Sequence, residues 1–150
     1  YGIVQGTAPG LRRLWGQTTT PGVSAVQFWS ALLTAIPALI GVALWREANV
    51  GVAITAGLAA FGVVFAMNSS IHSYMVLAYT DAESVSLNVG FYYMANAAGR
   101  LVGTLLSGAV FMLGRTAAGG MQACLWCSSL LVLLAWISSL RLPPPLRAAP

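Results

Sequence analysis

Arg100 lies deep inside an apolar run, about twelve residues after Asn88 and fourteen before Gly114. On a helix that is roughly 18–21 Å from either end, farther than an arginine side chain can snorkel. An arginine at the centre of a membrane span costs about 2.5–3.5 kcal/mol on the lenient insertion scale, so it normally faces a bundle interior or a watery cavity. Its planar fork donates hydrogen bonds in pairs, which suits phosphate, arsenate or carboxylate. Two readings stay open. Arg100 binds an anionic substrate, or it pairs with a backbone carbonyl or with a carboxylate elsewhere in a longer protein.

The helical neighbours of Arg100 have the types that a solute path needs. At 100° per residue, Tyr93, Asn96, Arg100, Gly103, Thr104 and Ser107 fall within about 100° of one another. The opposite face carries Phe91, Met94, Ala98, Leu101, Val102 and Leu105. Tyr93, Asn96, Arg100 and Ser107 are therefore the candidate substrate-binding residues. The alternative for this polar stripe is hydrogen bonding between helices. Gly99, Gly103 and Ser107 repeat at i, i+4, i+8, which lets a second helix backbone approach closely.

One run upstream, Asn68 and His72 are a turn apart, with Tyr79 near the same face. Histidine titrates near neutral pH, so His72 is a candidate proton relay, with hydrogen-bonded packing as its alternative. Asn68 is a candidate path-lining residue. Gln27, Ser30 and Thr34 form a milder stripe in the first run, where Gln27 and Thr34 are further path-lining candidates and packing is the favoured reading. Cys124 and Cys127 form a C-x-x-C without a second pair. They open an apolar helix, and the only histidine is far away in sequence, so inert packing is favoured over redox or zinc chemistry. No catalytic constellation, P-loop, nucleophile elbow, metal cluster or cofactor motif is present, and no enzymatic activity is expected.

The elements that must position these side chains are membrane spans. Of 150 residues, 58% are hydrophobic and 7% charged, and mean hydropathy is +0.80. Soluble domains carry roughly a quarter charged residues, and disordered chains are poor in apolar ones. The class is an all-α membrane protein. A net charge of +4, all its basic residues arginine, is too small and scattered for nucleic-acid binding. The partner is the lipid bilayer.

Four apolar runs, at about 24–45, 50–79, 85–114 and 121–140, are each long enough to cross a roughly 30 Å core. Pro37 sits inside the first, as membrane helices tolerate. Asn68, Ser69 and Ser70 mark an expected bend in the second. Tyr1–Ala8 reads as the tail of a further span, a loop covers 9–23, and the chain from 141 to 150 is a proline-rich tail. Opening at Tyr1 in mid-phrase, the sequence reads as the C-terminal piece of a longer membrane protein, whose N-terminal half would complete any binding site.

If the runs alternate across the bilayer, Arg12, Arg13, Arg141 and Arg147 share one side and Arg46 and Arg115 the other. That distribution favours the first side as cytoplasmic. Trp15, Phe28, Trp29, Trp45, Tyr79 and Trp126 near the span ends read as an interfacial girdle.

Three phrases carry a family resemblance: Tyr1-Gly-Ile-Val-Gln5, Asn68-Ser-Ser-Ile-His72-Ser-Tyr74, and Asn88-Val-Gly-Phe-Tyr-Tyr-Met-Ala-Asn96-Ala-Ala-Gly-Arg100-Leu-Val-Gly103-Thr-Leu-Leu-Ser107-Gly108. They resemble the ArsJ-type permeases, organoarsenical exporters of the major facilitator superfamily. The resemblance runs from Tyr1 to Leu142 and is weakest around Gly16 and Arg115. It implies a twelve-span transporter of two six-helix bundles with alternating access, in the inner (plasma) membrane, whose last four spans are the runs above and whose C-terminus is cytoplasmic. It implies export of 1-arseno-3-phosphoglycerate, made from arsenate by a glyceraldehyde-3-phosphate dehydrogenase, a functional and not a physical partner. The result would be arsenate resistance. The resemblance brings no established binding residues, so the candidates above come from the sequence itself. The alternatives are a superfamily transporter of another small organic anion, sugar phosphate or drug, and a non-transporting four-span membrane subunit.

Overall fold

The computed structural model describes residues 22–81 and 83–143. Four helices follow one another: α1 (Val23–Trp45), α2 (Val50–Ala78), α3 (Val85–Met112) and α4 (Ala117–Ser139). The expected remnant at Tyr1–Ala8, the Arg12/Arg13 loop, Trp15 and the tail with Arg147 lie outside the described residues.

α1, α2 and α4 are long and apolar enough to cross a membrane, the make-up of a multi-pass membrane protein. α3 has the length, 28 residues. It does not join the other three on apolarity, because Asn88, Asn96, Arg100 and the hydroxyl residues among them lower its hydropathy. Of the four expected spans, three are apolar enough to cross a membrane, and the third in order, α3, is the one with the expected polar stripe.

Local signals set the boundaries. The Asn49 side chain accepts a hydrogen bond from the Val52 amide (3.1 Å) and caps α2. Thr116 accepts from the Gly119 amide (3.1 Å) and caps α4. α4 therefore starts four residues before the expected boundary at 121. Gly119 and Gly120, which read as loop because glycine is a poor helix former, are taken into its first turn. A Cβ on Gly120 would run into the Phe111 carbonyl, and one on Gly114 into the Gly120 backbone, so these glycines permit the tight α3–α4 corner. At the α1–α2 turn Glu47 has φ 60, the left-handed conformation that closes a helix C-terminus, and the Ala48 amide donates back to Ala43. α2 stays helical through Asn68–Ser70, the place of the expected bend. Ser73 donates to the Ser69 carbonyl (3.0 Å) within the helix.

α1 is the centre of the packing. Its buried residues Val26, Trp29, Ser30, Leu33, Ile36 and Ile40 recur every three or four positions and form one face. That face meets Val64, Met67, Ile71 and Met75 of α2, with Leu125 and Val132 of α4 packed alongside. A Cβ on Gly57 would collide with the Ile40 side chain, so α1 and α2 approach closely there. Trp29, expected in the interfacial girdle, is 7% exposed and belongs to this core. Trp126 covers Gly41, where an added Cβ would sit 3.3 Å from the indole.

The contacts give the directions. Early α1 meets late α2 (Ser30 to Asn68), and late α1 meets early α2 (Ile40 to Gly57). Early α1 also meets late α4 (Gln27 to Ser139), and late α1 meets early α4 (Gly41 to Trp126). α2 and α4 are thus both antiparallel to α1. α3 lies at the edge of the group and has no buried residue.

Candidate functional site

The row Asn88, Tyr92, Asn96, Arg100 repeats every four residues along one side of α3, so the side chains stack about 6 Å apart along the axis. α2 runs beside the N-terminal half of α3 and presents Phe65, Asn68, Ser69 and His72. Between the two helices is a cleft of about 230 Å³ lined by those four residues and by Tyr92, Ala95, Asn96 and Arg100. The fold therefore brings together the candidates Asn68, His72, Asn96 and Arg100, taken from two separate runs of sequence.

Arg100 is fifteen residues into α3 and twelve from its end, about 22 and 18 Å along the axis. All three acidic residues of the chain, Glu47, Asp81 and Glu83, are in the turns between helices. None is level with Arg100. The Arg100 carbonyl accepts a bond from Thr104 (2.8 Å), which turns that hydroxyl back onto its own helix. Asn68 is buried, and its Oδ1 accepts from the Ser30 hydroxyl of α1 at 3.2 Å. One end of this amide ties α2 to α1 while the residue also lines the cleft.

A larger cleft of about 430 Å³ adjoins the first. Val26, His72, Met75, Val76, Tyr79, Thr80, Asn88, Tyr92 and Leu142 line it, toward the helix ends that carry Asp81 and Arg141. The Tyr79 hydroxyl donates to the Pro143 carbonyl at that end. Thr80 turns its hydroxyl back to Val76 (2.6 Å).

Four sequence candidates are placed differently from the expected path. Tyr93 is 61% exposed and lies outside both clefts, with its ring edge-on to Tyr92 (centroids 5.5 Å, 62° between planes). Tyr92 is the tyrosine that lines them. It sits about 100° round the helix from Tyr93, on the side nearer Asn96 and Ala95. Ser107 shares the stripe of Arg100 but reaches α4, where the Cys124 thiol donates to its carbonyl (3.4 Å). Gln27 donates to the Ser139 carbonyl (3.4 Å) and joins α1 to α4. Thr34 donates to the Ser30 carbonyl within α1 (2.9 Å). Gln27 and Thr34 are in packing positions, because α1 is the inner helix of the described group.

Cys124 and Cys127 are free thiols, both lining a pocket of about 40 Å³ with Gly103 and Ser107 between α3 and α4. The close helix approach expected over Gly99 and Gly103 is not made among the described residues. A Cβ at either would meet nothing within 4 Å. Phe91, Met94, Leu101, Val102 and Leu105 are exposed, as expected of a face turned to lipid or to further protein.

Sequence reasoning missed Tyr92, Ala95, Phe65 and Ser69. The signal for Tyr92 was present, since it is one helical turn before Asn96 in the row that ends at Arg100. Comparison of the chain with protein-family models, with curated proteins and with solved structures gave no match. Function is therefore read from residues and geometry.

Proposed function

We propose that the chain is the C-terminal part of a secondary active transporter of the major facilitator type, which exports a small organic anion by alternating access. The observation that carries this reading is Arg100 at mid-helix, sharing a cleft with Asn96, Asn68 and His72. An arginine costs too much at that depth to serve as filler. Its neighbours in the cleft add amide and imidazole donors, the set that replaces water around an anion.

The helix directions support a full crossing by α3. With α2 and α4 parallel and both spanning, α2 ends on the side opposite to where α4 begins. The 28 residues of α3, about 42 Å of helix, are what connects them. The arginine stripe would then pass through the bilayer interior, where a transporter holds its cargo. The end carrying Asp81 and Arg141 is proposed as cytoplasmic. The arginine count behind that side depends on Arg12, Arg13 and Arg147, outside the described residues.

The proposed cargo is the organoarsenical 1-arseno-3-phosphoglycerate, following the resemblance to ArsJ-type permeases. The cargo carries several negative charges, and Arg100 is the one arginine lining either cleft. The N-terminal half of the transporter would supply further cations. That same single arginine, among neutral amide, hydroxyl and imidazole groups, favours a second reading: another organic anion with fewer charges. Competition by unlabelled organic acids and sugar phosphates in vesicle uptake separates the two.

The test uses cells without their own arsenate exporters. The full-length protein is expressed with and without the glyceraldehyde-3-phosphate dehydrogenase, and cell-associated arsenic is measured after arsenate exposure. Lower arsenic only when both are present is the expected result. Equal arsenic in all strains, with the protein present in the membrane, would refute the arsenical cargo.

A further inference from the structure

Cys124 and Cys127 are three residues apart on α4 and line one pocket of about 40 Å³, with Gly103 and Ser107 of α3 across from them. Both thiols are free and half-buried. Cys124 is aimed across the helix contact. Its thiol donates to the Ser107 carbonyl (3.4 Å), and its sulfur is 3.9 Å from the Ser107 hydroxyl oxygen. The facing wall at Gly103 is bare: an added Cβ would meet nothing within 4 Å, so the space over this glycine is open.

Helix geometry decides what joins two such thiols. Side chains three apart on a helix have Cβ atoms roughly 5–6 Å apart. A disulfide places them about 3.5–4.5 Å apart. The spacing on α4 is wider, which favours two sulfurs bridged by one further atom over a direct S–S bond.

We propose that Cys124 and Cys127 form a binding site for a monosubstituted trivalent arsenical, R–As(OH)₂. The site goes beyond the transport reading and does not rest on it, because no residue lining the Arg100 cleft takes part.

Ligand count and charge select this class. Among the described residues no group of three or more His, Cys, Asp or Glu could hold a metal ion, and structural zinc takes four ligands. A cation would also require thiolates, and it would place ions in a pocket walled by Leu106, Val110 and Leu131, where a charge is costly. The arsenical reacts with the thiols as they stand. Two S–H and two As–O bonds break, two As–S bonds form, and two waters leave. Arsenic stays trivalent and the product is neutral. Its pyramidal geometry puts both sulfurs on one side of the arsenic, which matches two thiols leaving one helix face. The substituent R is then turned to the open space over Gly103. One water needs roughly 10–15 Å³ of such space, so the pocket suits a methyl group and not a large substituent.

The test uses the full-length protein in membrane vesicles and methylarsonous acid, CH₃–As(OH)₂, as the probe. After treatment a maleimide labels the thiols left free, and labelling is read on the peptide that carries positions 124 and 127. The arsenical is expected to protect both cysteines together. Dithiothreitol should restore labelling, and mercaptoethanol at equal thiol concentration should not. In Cys124→Ser or Cys127→Ser the remaining thiol should need about a hundredfold more arsenical, because the second bond is no longer intramolecular. Gly103→Leu fills the pocket and should also weaken protection. Equal protection in the single-cysteine variants and the unsubstituted protein would overturn the proposal. So would protection of one cysteine without the other, or unchanged protection in Gly103→Leu. Equal protection by Zn²⁺ would make the pair a cation site and overturn the arsenical assignment.

Discussion

Arg100→Ala removes the one arginine that lines either cleft, and the size of the effect can be worked from its surroundings. A hydrogen bond to a charged group contributes about 1.5–3 kcal/mol, and the guanidinium fork can make two to one anionic group. Breaking a buried, hydrogen-bonded charge pair costs about 3–5 kcal/mol. Arg100 is exposed in the four-helix group, which discounts the figure, so the lower end applies, about 3 kcal/mol. At about 1.4 kcal/mol per tenfold, transport efficiency should fall by roughly two orders of magnitude. Arg100→Lys keeps the charge but loses the planar fork, and should fall by about tenfold, the equivalent of one such bond. Insertion should not suffer. No carboxylate of the chain is level with Arg100, so its loss orphans no buried acid, and the span loses a residue that costs about 2.5–3.5 kcal/mol at its centre. The assay is initial-rate uptake into inverted vesicles, normalised to membrane protein measured by immunoblot. Wild-type transport by both variants would refute the binding role. So would a loss that merely tracks a lower protein level, since that would make Arg100 a structural residue.

Five further variants have expected outcomes. His72→Gln keeps a hydrogen-bonding side chain but cannot titrate, so transport should lose its pH dependence; an unaltered pH profile would remove His72 as a proton relay. Ser30→Ala deletes the Ser30–Asn68 bond without touching the cleft and should lower stability in detergent by about 0.6–1.7 kcal/mol. Asn68→Ala removes both the bond and a cleft-lining amide, so it should also reduce transport; equal transport by the two variants would leave Asn68 with packing alone. Gly120→Ala forces a Cβ onto the Phe111 carbonyl and should destabilise by about 1–3 kcal/mol. Gly103→Ala, with nothing near the added Cβ, should not lower the melting temperature, because alanine is the better helix former.

The helices were legible in the sequence because hydropathy and length alone decide which segments can leave water. α1 and α2 agree with the expected runs to within one residue at each end. The start of α4 was not legible to the same degree. Its glycines suggested loop, and only the Thr116 cap and the close approach of Gly120 to Phe111 draw them into a helix. The polar stripe of α3 was also visible, and with it Asn96 and Arg100.

Which neighbour each part of that stripe meets could not be read from periodicity. Angular position on one helix says nothing about the helix beside it. α3 runs against α2 along its first half and against α4 along its second. Asn96 and Arg100 therefore face Asn68 and His72, while Ser107, on the same stripe, faces Cys124. The choice of Tyr92 over Tyr93 depends in the same way on where α2 lies. The sequence by itself determined that the chain is helical, that its long apolar runs suit a bilayer, and that Arg100 falls well inside the third run. Only the tertiary structure decided what surrounds that charge, because the pairing of helices depends on side-chain shape at contacts such as Gly57 with Ile40 and Gly41 with Trp126, between residues far apart in the chain.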